Sequence, residues 1–161
     1  MATVRPFKGL RPESELAAKI ASLPYDVMDT EEARGKIAAD PFSFLTVTKS
    51  EATLPEGTDA YSDEVYAMAR ENLADYVRTG KMKQDKMPCF YIYRQRMNQH
   101  IQIGLVATAS VDEYRNGTIR RHELTRTEKE QDRVRHIMET KAQTGPVFLT
   151  YRQRPEISSY I

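Results

Sequence analysis

At 161 residues the chain has the length of one globular domain, 1–161, which can bury roughly 70% of its unfolded surface without metal or disulfide staples. Its 24 Lys and Arg against 23 Asp and Glu leave a net charge of +1, so nothing draws it as a whole to nucleic acid or an anionic membrane, and any anion site must be a local cluster. The lone Cys89 excludes an internal disulfide and suits a reducing compartment, and no stretch approaches the roughly 20 apolar residues of a membrane helix. A soluble, cytoplasmic protein is expected.

Residues 4–10, VRPFKGL, read as a short edge strand or extended arm, since Pro6 cannot donate a ladder hydrogen bond. From Glu13 to about Ser22 the residues Leu16, Ala17 and Ile20 recur at helical spacing until Pro24 ends the pattern, and Leu23–Val27 becomes a loop. Asp29 or Thr30 caps a second helix, favoured by Glu31 and Glu32 in its first turn and stopped after Asp40 by Pro41. Ser43–Thr48 reads as a strand and 53–59, TLPEGTD, as a connector. The strongest helix follows, capped by Ser62, with Val65, Ala69, Leu73 and Tyr76 or Val77 on its apolar face and Gly80 at an αL stop.

Cys89–Arg96 and Ile101–Val111 are rich in β-branched and aromatic residues and flank Asn98-Gln99-His100, which predicts an antiparallel hairpin. Asn116-Gly117 predicts a second turn, with Thr118–Arg121 returning as a strand. Thr127 as N-cap and Glu130 at N3 form a capping-box pattern for a helix to about Lys141, and after Gly145-Pro146 a last strand spans Val147–Tyr151. The end, PEISSYI, opens another helix. Strands that adjoin as hairpins, without strict βαβ alternation, predict an α+β fold: a mixed, largely antiparallel sheet with flanking helices.

The most function-like stretch is 120–136, RRHELTRTEKEQDRVRH. At about 100° per residue Arg126, Lys129, Arg133 and His136 share one sector and Val134, Ile137 and Met138 the adjoining one, so a basic stripe borders the expected buried face. Such a stripe beside a helix N-terminus suits a phosphate; a solvated face with i to i+4 pairing is the plainer reading. His122-Glu123 precedes the helix, where Glu123 suits a general base and His122 can orient a phosphate or proton. Asp26 can bind a cation or a substrate amine, or cap a turn. Three histidines without HExxH or paired cysteines meet no metal spacing, Cys89 reads as a small core residue, and no Walker, GxGxxG or GxSxG motif is present. Tyr91, Tyr93 and Tyr114, with Arg94 and Arg96 in the same hairpin, could suggest base stacking on a sheet, but without an RNP-like motif they read as half-buried sheet residues.

Six segments together carry a resemblance: VRPFKGLRP (4–12), LPYDV (23–27), DPFSFLTV (40–47), MPCFYIYRQRM (87–97), HELTRTEKEQDRVRHI (122–137) and TGPVFLTY (144–151). In order and spacing the chain is similar to the bacterial and archaeal domain-of-unknown-function family numbered 1015, with Leu23 standing where a second proline is expected. Members of that family run to roughly 400 residues, beyond the usual single domain. A later Asp-Gly-His-His-Arg motif links them to the ParB and sulfiredoxin-like superfamily. The resemblance implies that this chain is the N-terminal portion of a longer protein, ParB/sulfiredoxin-like in part.

Some members of that superfamily are kinases that phosphorylate free serine. By that resemblance Glu123 of the His122-Glu123 pair is the base, and Arg126 and Arg133 hold phosphate or the substrate carboxylate, with ATP or ADP and Mg²⁺ in the full-length protein. The chain alone is then expected to be inactive, and to self-associate through apolar surface that the missing C-terminal half would cover. A ParB-like, non-catalytic binding module is the alternative, and the even charge balance speaks against nucleic acid as its partner.

Overall fold

A computed structural model describes residues 2–121 and 124–159. In chain order the elements are β1 (Val4–Arg5), β2 (Leu10–Pro12), α1 (Ala17–Ile20), α2 (Thr30–Ala39), α3 (Leu45–Thr48), α4 (Asp63–Arg78), β3 (Met82–Gln84), β4 (Tyr91–Met97), β5 (His100–Val106), β6 (Thr108–Ala109), α5 (Val111–Arg115), α6 (Thr127–Thr140) and α7 (Pro155–Ser158). The class is α+β, with small antiparallel sheets beside helices. Contacts gather in two compact units, one helical (Arg11–Lys83 and Thr125–Pro146) and one strand-rich (Met1–Leu10, Gln84–Leu124 and Val147–Ile161).

In the helical unit α2 starts on a full capping box: the Asp29 carboxylate accepts from the Glu32 N–H at 2.8 Å and Glu32 Oε2 accepts from the Asp29 N–H at 3.1 Å. It ends where Pro41 bars helical backbone at Asp40, whose side chain then accepts from the Phe42 N–H at 3.0 Å. Ala33 on its inner face lets Leu45 and Ala52 approach closely, and Met28 and Ile37 close over them. The 16-residue α4 buries Val65, Tyr66, Ala69, Leu73 and Tyr76, and stops before Gly80 at φ +73°, the left-handed position glycine adopts without a Cβ penalty. Tyr76 takes the inward place and Val77 stays exposed. Ser62 sits at the N-cap, but its hydroxyl makes no capping bond.

The expected strand at Ser43–Thr48 is instead the helix α3, continued by a 3-10 turn at Ser50–Thr53. The alternation Phe42-Ser43-Phe44 looks strand-like, but among the described residues no neighbouring strand offers a ladder, so the carbonyls must be satisfied locally. They are, by hydroxyls folding back one turn: Thr46 donates to Ser43 O at 3.0 Å, Ser50 to Thr46 O and Val47 O at 3.0 Å each, and Thr53 to Ser50 O at 2.8 Å. Tyr76 and Asn72 then tie α3 to α4, donating to Phe42 O and Thr46 O at 2.7 Å each.

In the strand-rich unit β1 pairs with β6, Phe7 bridges Cys89, and β4 and β5 form the expected hairpin, in register from Tyr91↔Val106 to Met97↔His100 with Asn98 at φ +55° in the turn. The Tyr91 hydroxyl joins three segments. It accepts from the Gly9 N–H at 2.7 Å and donates to Asp85 Oδ2 at 2.5 Å, while the ring meets Phe7 at 5.0 Å. Several expectations need correction. Cys89 is exposed, because it lies in the short Phe7 bridge and not under a sheet, and Tyr93 and Tyr114 are exposed as well.

The strand expected to reach Val111 ends at Val106, since Ser110 accepts from the Glu113 N–H at 3.3 Å and caps α5. Gly117 (φ +80°) ends that helix, and the Ile119 N–H returns to Glu113 O at 2.9 Å, so Thr118–Arg121 forms no strand. Val147–Tyr151 is likewise irregular, without a ladder among the described residues.

Two glycines separate close approach from open space. A Cβ at Gly9 would lie 2.8 Å from the Tyr91 hydroxyl oxygen, whereas at Gly35, inside α2, it would meet nothing within 4 Å. Gly35→Ala is expected to raise stability by about 0.5–1 kcal/mol through reduced backbone entropy of the unfolded chain. Gly9→Ala should lower the melting temperature, and thermal melts of the two variants check both signs.

Candidate functional site

α6 carries the candidate cations. Its N-cap is Arg126 in extended backbone, with Thr127 the first helical residue and no side-chain cap, so the expected capping box at Thr127 does not form. Glu128 and Glu130 occupy the first turn, where carboxylates complement the helix dipole.

Three cations of α6 each lie against a tyrosine from elsewhere in the helical unit. The Arg133 guanidinium stacks over Tyr25 at 4.2 Å, Arg135 over Tyr66 at 4.3 Å, and the Lys129 ammonium sits 5.9 Å from the Tyr61 ring centre and donates to its hydroxyl at 3.3 Å. That hydrogen bond holds the Lys129 ammonium above the ordinary lysine range. Asp132 ties the group together, accepting from the Tyr66 hydroxyl at 2.8 Å and from Arg133 Nε and one terminal nitrogen at 3.0 and 2.7 Å. Burial first, and the Asp132 bond second, push the Tyr66 phenol well up. Arg135 in turn pairs with Asp63 and donates to Tyr61 O at 3.1 Å.

Arg133 is thus stacked on one face and fixed along one edge. Its other terminal nitrogen makes no bond within the described residues, and its side chain remains 30% exposed. A guanidinium held this way loses little further freedom on meeting a phosphate or carboxylate.

The Tyr25 ring belongs to a 3-10 turn, Tyr25–Val27, that follows Pro24. The fold therefore brings the turn holding Asp26 against the middle of α6; Asp26 itself is exposed. The same turn and α2 wall a cavity of about 520 Å³, lined by Leu23, Val27, Met28, Glu32, Lys36 and Ala39. Arg126 is exposed at the helix start, and His122 and Glu123 lie outside the described residues. No group of three His, Cys, Asp or Glu side chains among the described residues could hold a metal ion.

His136 leaves the expected basic stripe. It is only 4% exposed, and its Nε2 donates to the Val47 carbonyl at 2.9 Å, so Nδ1 carries the lone pair and is buried without a hydrogen-bond partner among the described residues. Val134 and Met138, expected on the buried face, are exposed, because α6 turns its His136–Thr140 edge toward the core. Nothing in the sequence marks Tyr25, Tyr61, Tyr66 or Asp132 as members of this group, since each tyrosine meets α6 from more than 60 residues away.

Burial holds the His136 imidazole below its usual range; the nearby Arg133 lowers it further and Asp132 opposes this. The unfolded chain therefore takes up the proton first as pH falls. Stability is expected to be full above about pH 6.5 and to decline as pH drops through the lower folded-state value. His136→Gln, which keeps a donor for Val47 but cannot be protonated, should flatten this slope in denaturant midpoints measured across pH 4.5–7.5.

No helix among the described residues is long and apolar enough to cross a membrane. Comparison with curated proteins and with solved structures returns no match. Residues 4–161 match the family described as Protein of unknown function (DUF1015), and the chain belongs to that family.

Proposed function

We propose that the Arg126–Arg133 stretch of α6, together with the Tyr25 turn, binds the phosphate of a nucleotide, and that the protein is a nucleotide-dependent kinase of a small-molecule hydroxyl, with free serine as acceptor. The observation that carries this is Arg133: its face is stacked on Tyr25, one edge is fixed by Asp132, and its remaining donors are unclaimed among the described residues. Lys129 stands one turn before it on the same side of the helix, and Arg126 stands at the N-cap. Phosphoryl transfer is dominated by positioning and by neutralising charge, the work such a cationic row is suited to do.

In this reading Glu123 takes the proton from the acceptor hydroxyl as its oxygen attacks the terminal phosphorus, and the shortened nucleotide departs with the bonding electrons. His122 orients the transferred group, and Asp26, on the turn that carries Tyr25, receives the amine of the acceptor. Mg²⁺ carried in with the nucleotide would supply neutralisation of phosphate charge; among the described residues no group of three ligating side chains is placed to hold it.

Titration of the chain with ADP, followed by calorimetry, tests the binding step. Arg133→Ala should weaken binding by about tenfold, and Arg133→Lys should recover little of it, since a lysine neither stacks nor forks in the same way. Unchanged affinity in both variants would remove Arg133 from the site. For the chemical step, Glu123→Gln in protein that turns over serine should lower kcat by about 10²–10⁴-fold with an unchanged melting temperature. Nucleotide binding without turnover would favour the non-catalytic module.

A further inference from the structure

The β4–β5 hairpin has two unlike faces. In its register Ile92 lies opposite Leu105, Arg94 opposite Ile103 and Arg96 opposite Ile101, so these six share one face. The four aliphatic side chains there are 40–55% exposed. A two-stranded hairpin with an uncovered apolar face is marginal in water, so this face has reason to acquire a cover.

Its charge narrows the choice of cover. Asp and Glu make up 23 of the 161 residues, one in seven, yet none occurs from Lys86 to Val111. Arg94 and Arg96 meet no carboxylate among the described residues, and Arg96 donates only to the Asn98 carbonyl at 2.9 Å. The face is therefore an aliphatic row on β5 (Ile101, Ile103, Leu105) beside two unneutralised arginines on β4.

We infer that this face docks an amphipathic protein helix whose aliphatic stripe is flanked by a row of carboxylates. The spacing fits. Alternate residues on a strand are about 6.7 Å apart, and residues i and i+4 on a helix rise about 6 Å, so successive turns of a helix laid along β5 meet Ile101, Ile103 and Leu105 in step. The neighbouring row of helix positions, with the same rise, then faces Arg94 and Arg96. A second copy of this face would bring arginines against arginines and supplies no carboxylate. Single-stranded nucleic acid calls for aromatic platforms, and the side chains here are aliphatic.

The test uses the whole chain and three probes: a helical peptide of about 18 residues with Leu at i, i+4 and i+8 flanked by Glu, the same peptide flanked by Lys, and a single-stranded oligouridine. By fluorescence anisotropy the Glu peptide should bind, the Lys peptide and oligouridine should not, and the double variant Arg94→Glu/Arg96→Glu should reverse the two peptides' order, with a change of about tenfold or more for each. Both arginines are exposed, so that variant keeps the fold, and circular dichroism checks this. Ile103→Asp should abolish binding of the Glu peptide, and, added to the double variant, binding of the Lys peptide. Equal binding of the two peptides, loss of binding without the charge-swap rescue, preference for oligouridine, or a dimer in light scattering that Ile103→Asp dissolves would each overturn the inference.

Discussion

The helical unit depends on how α6 docks, and that docking is mainly polar. Tyr66 donates to Asp132, His136 to the Val47 carbonyl, Arg70 to Glu139, and Arg135 pairs with Asp63, while the fully buried residues of α6 are His136 and Thr140. Each such bond is directional, so together they fix the rotation of the helix about its axis, which an apolar stripe leaves looser. Rotation decides which cations reach solvent. With His136 pointing in, Lys129 and Arg133 fall on the flank toward Tyr61 and Tyr25.

The same docking explains why the candidate site is built from groups already held in place. Asp132 supports Tyr66 on one side and Arg133 on the other, so the residue that anchors the helix also aims the guanidinium. A half-exposed arginine normally spends rotamer entropy when it meets an anion; one already stacked on Tyr25 has little left to lose. Asp132 also offsets part of the positive charge. In the proposed reading the net attraction for an anion would therefore rest on Lys129 and Arg126 acting with Arg133, and not on one residue.

The strand-rich unit is organised differently. Its ordered junction is the Tyr91 hydroxyl between Gly9 and Asp85, whereas the hairpin beyond it exposes aliphatic side chains, and Val147, Phe148, Leu149 and Tyr151 are exposed in irregular backbone. Apolar area of this kind contributes to stability only once it is covered.

Local signals were sufficient for much of the chain. The Asp29–Glu32 capping box, the stop at Pro41, the face of α4 with Gly80 behind it, the hairpin about Asn98, and the final helix at Pro155 all follow from neighbouring residues, as do the basic residues proposed to carry function. Tertiary structure decided the rest. Leu45 to Thr48 alternates like a strand, but with no partner strand among the described residues the Thr46 and Thr48 hydroxyls donate to the Ser43 and Phe44 carbonyls and the segment is a helix. Val147–Tyr151 is strand-like in composition and has no ladder among the described residues. Helical periodicity placed His136 beside Lys129 and Arg133, but the Val47 carbonyl, 89 residues away, drew it into the core and left Val134 and Met138 outside. Sequence determines which residues can share a helix face; which face is buried depends on hydrogen-bond partners distant in the chain, and so does the tyrosine that each cation meets.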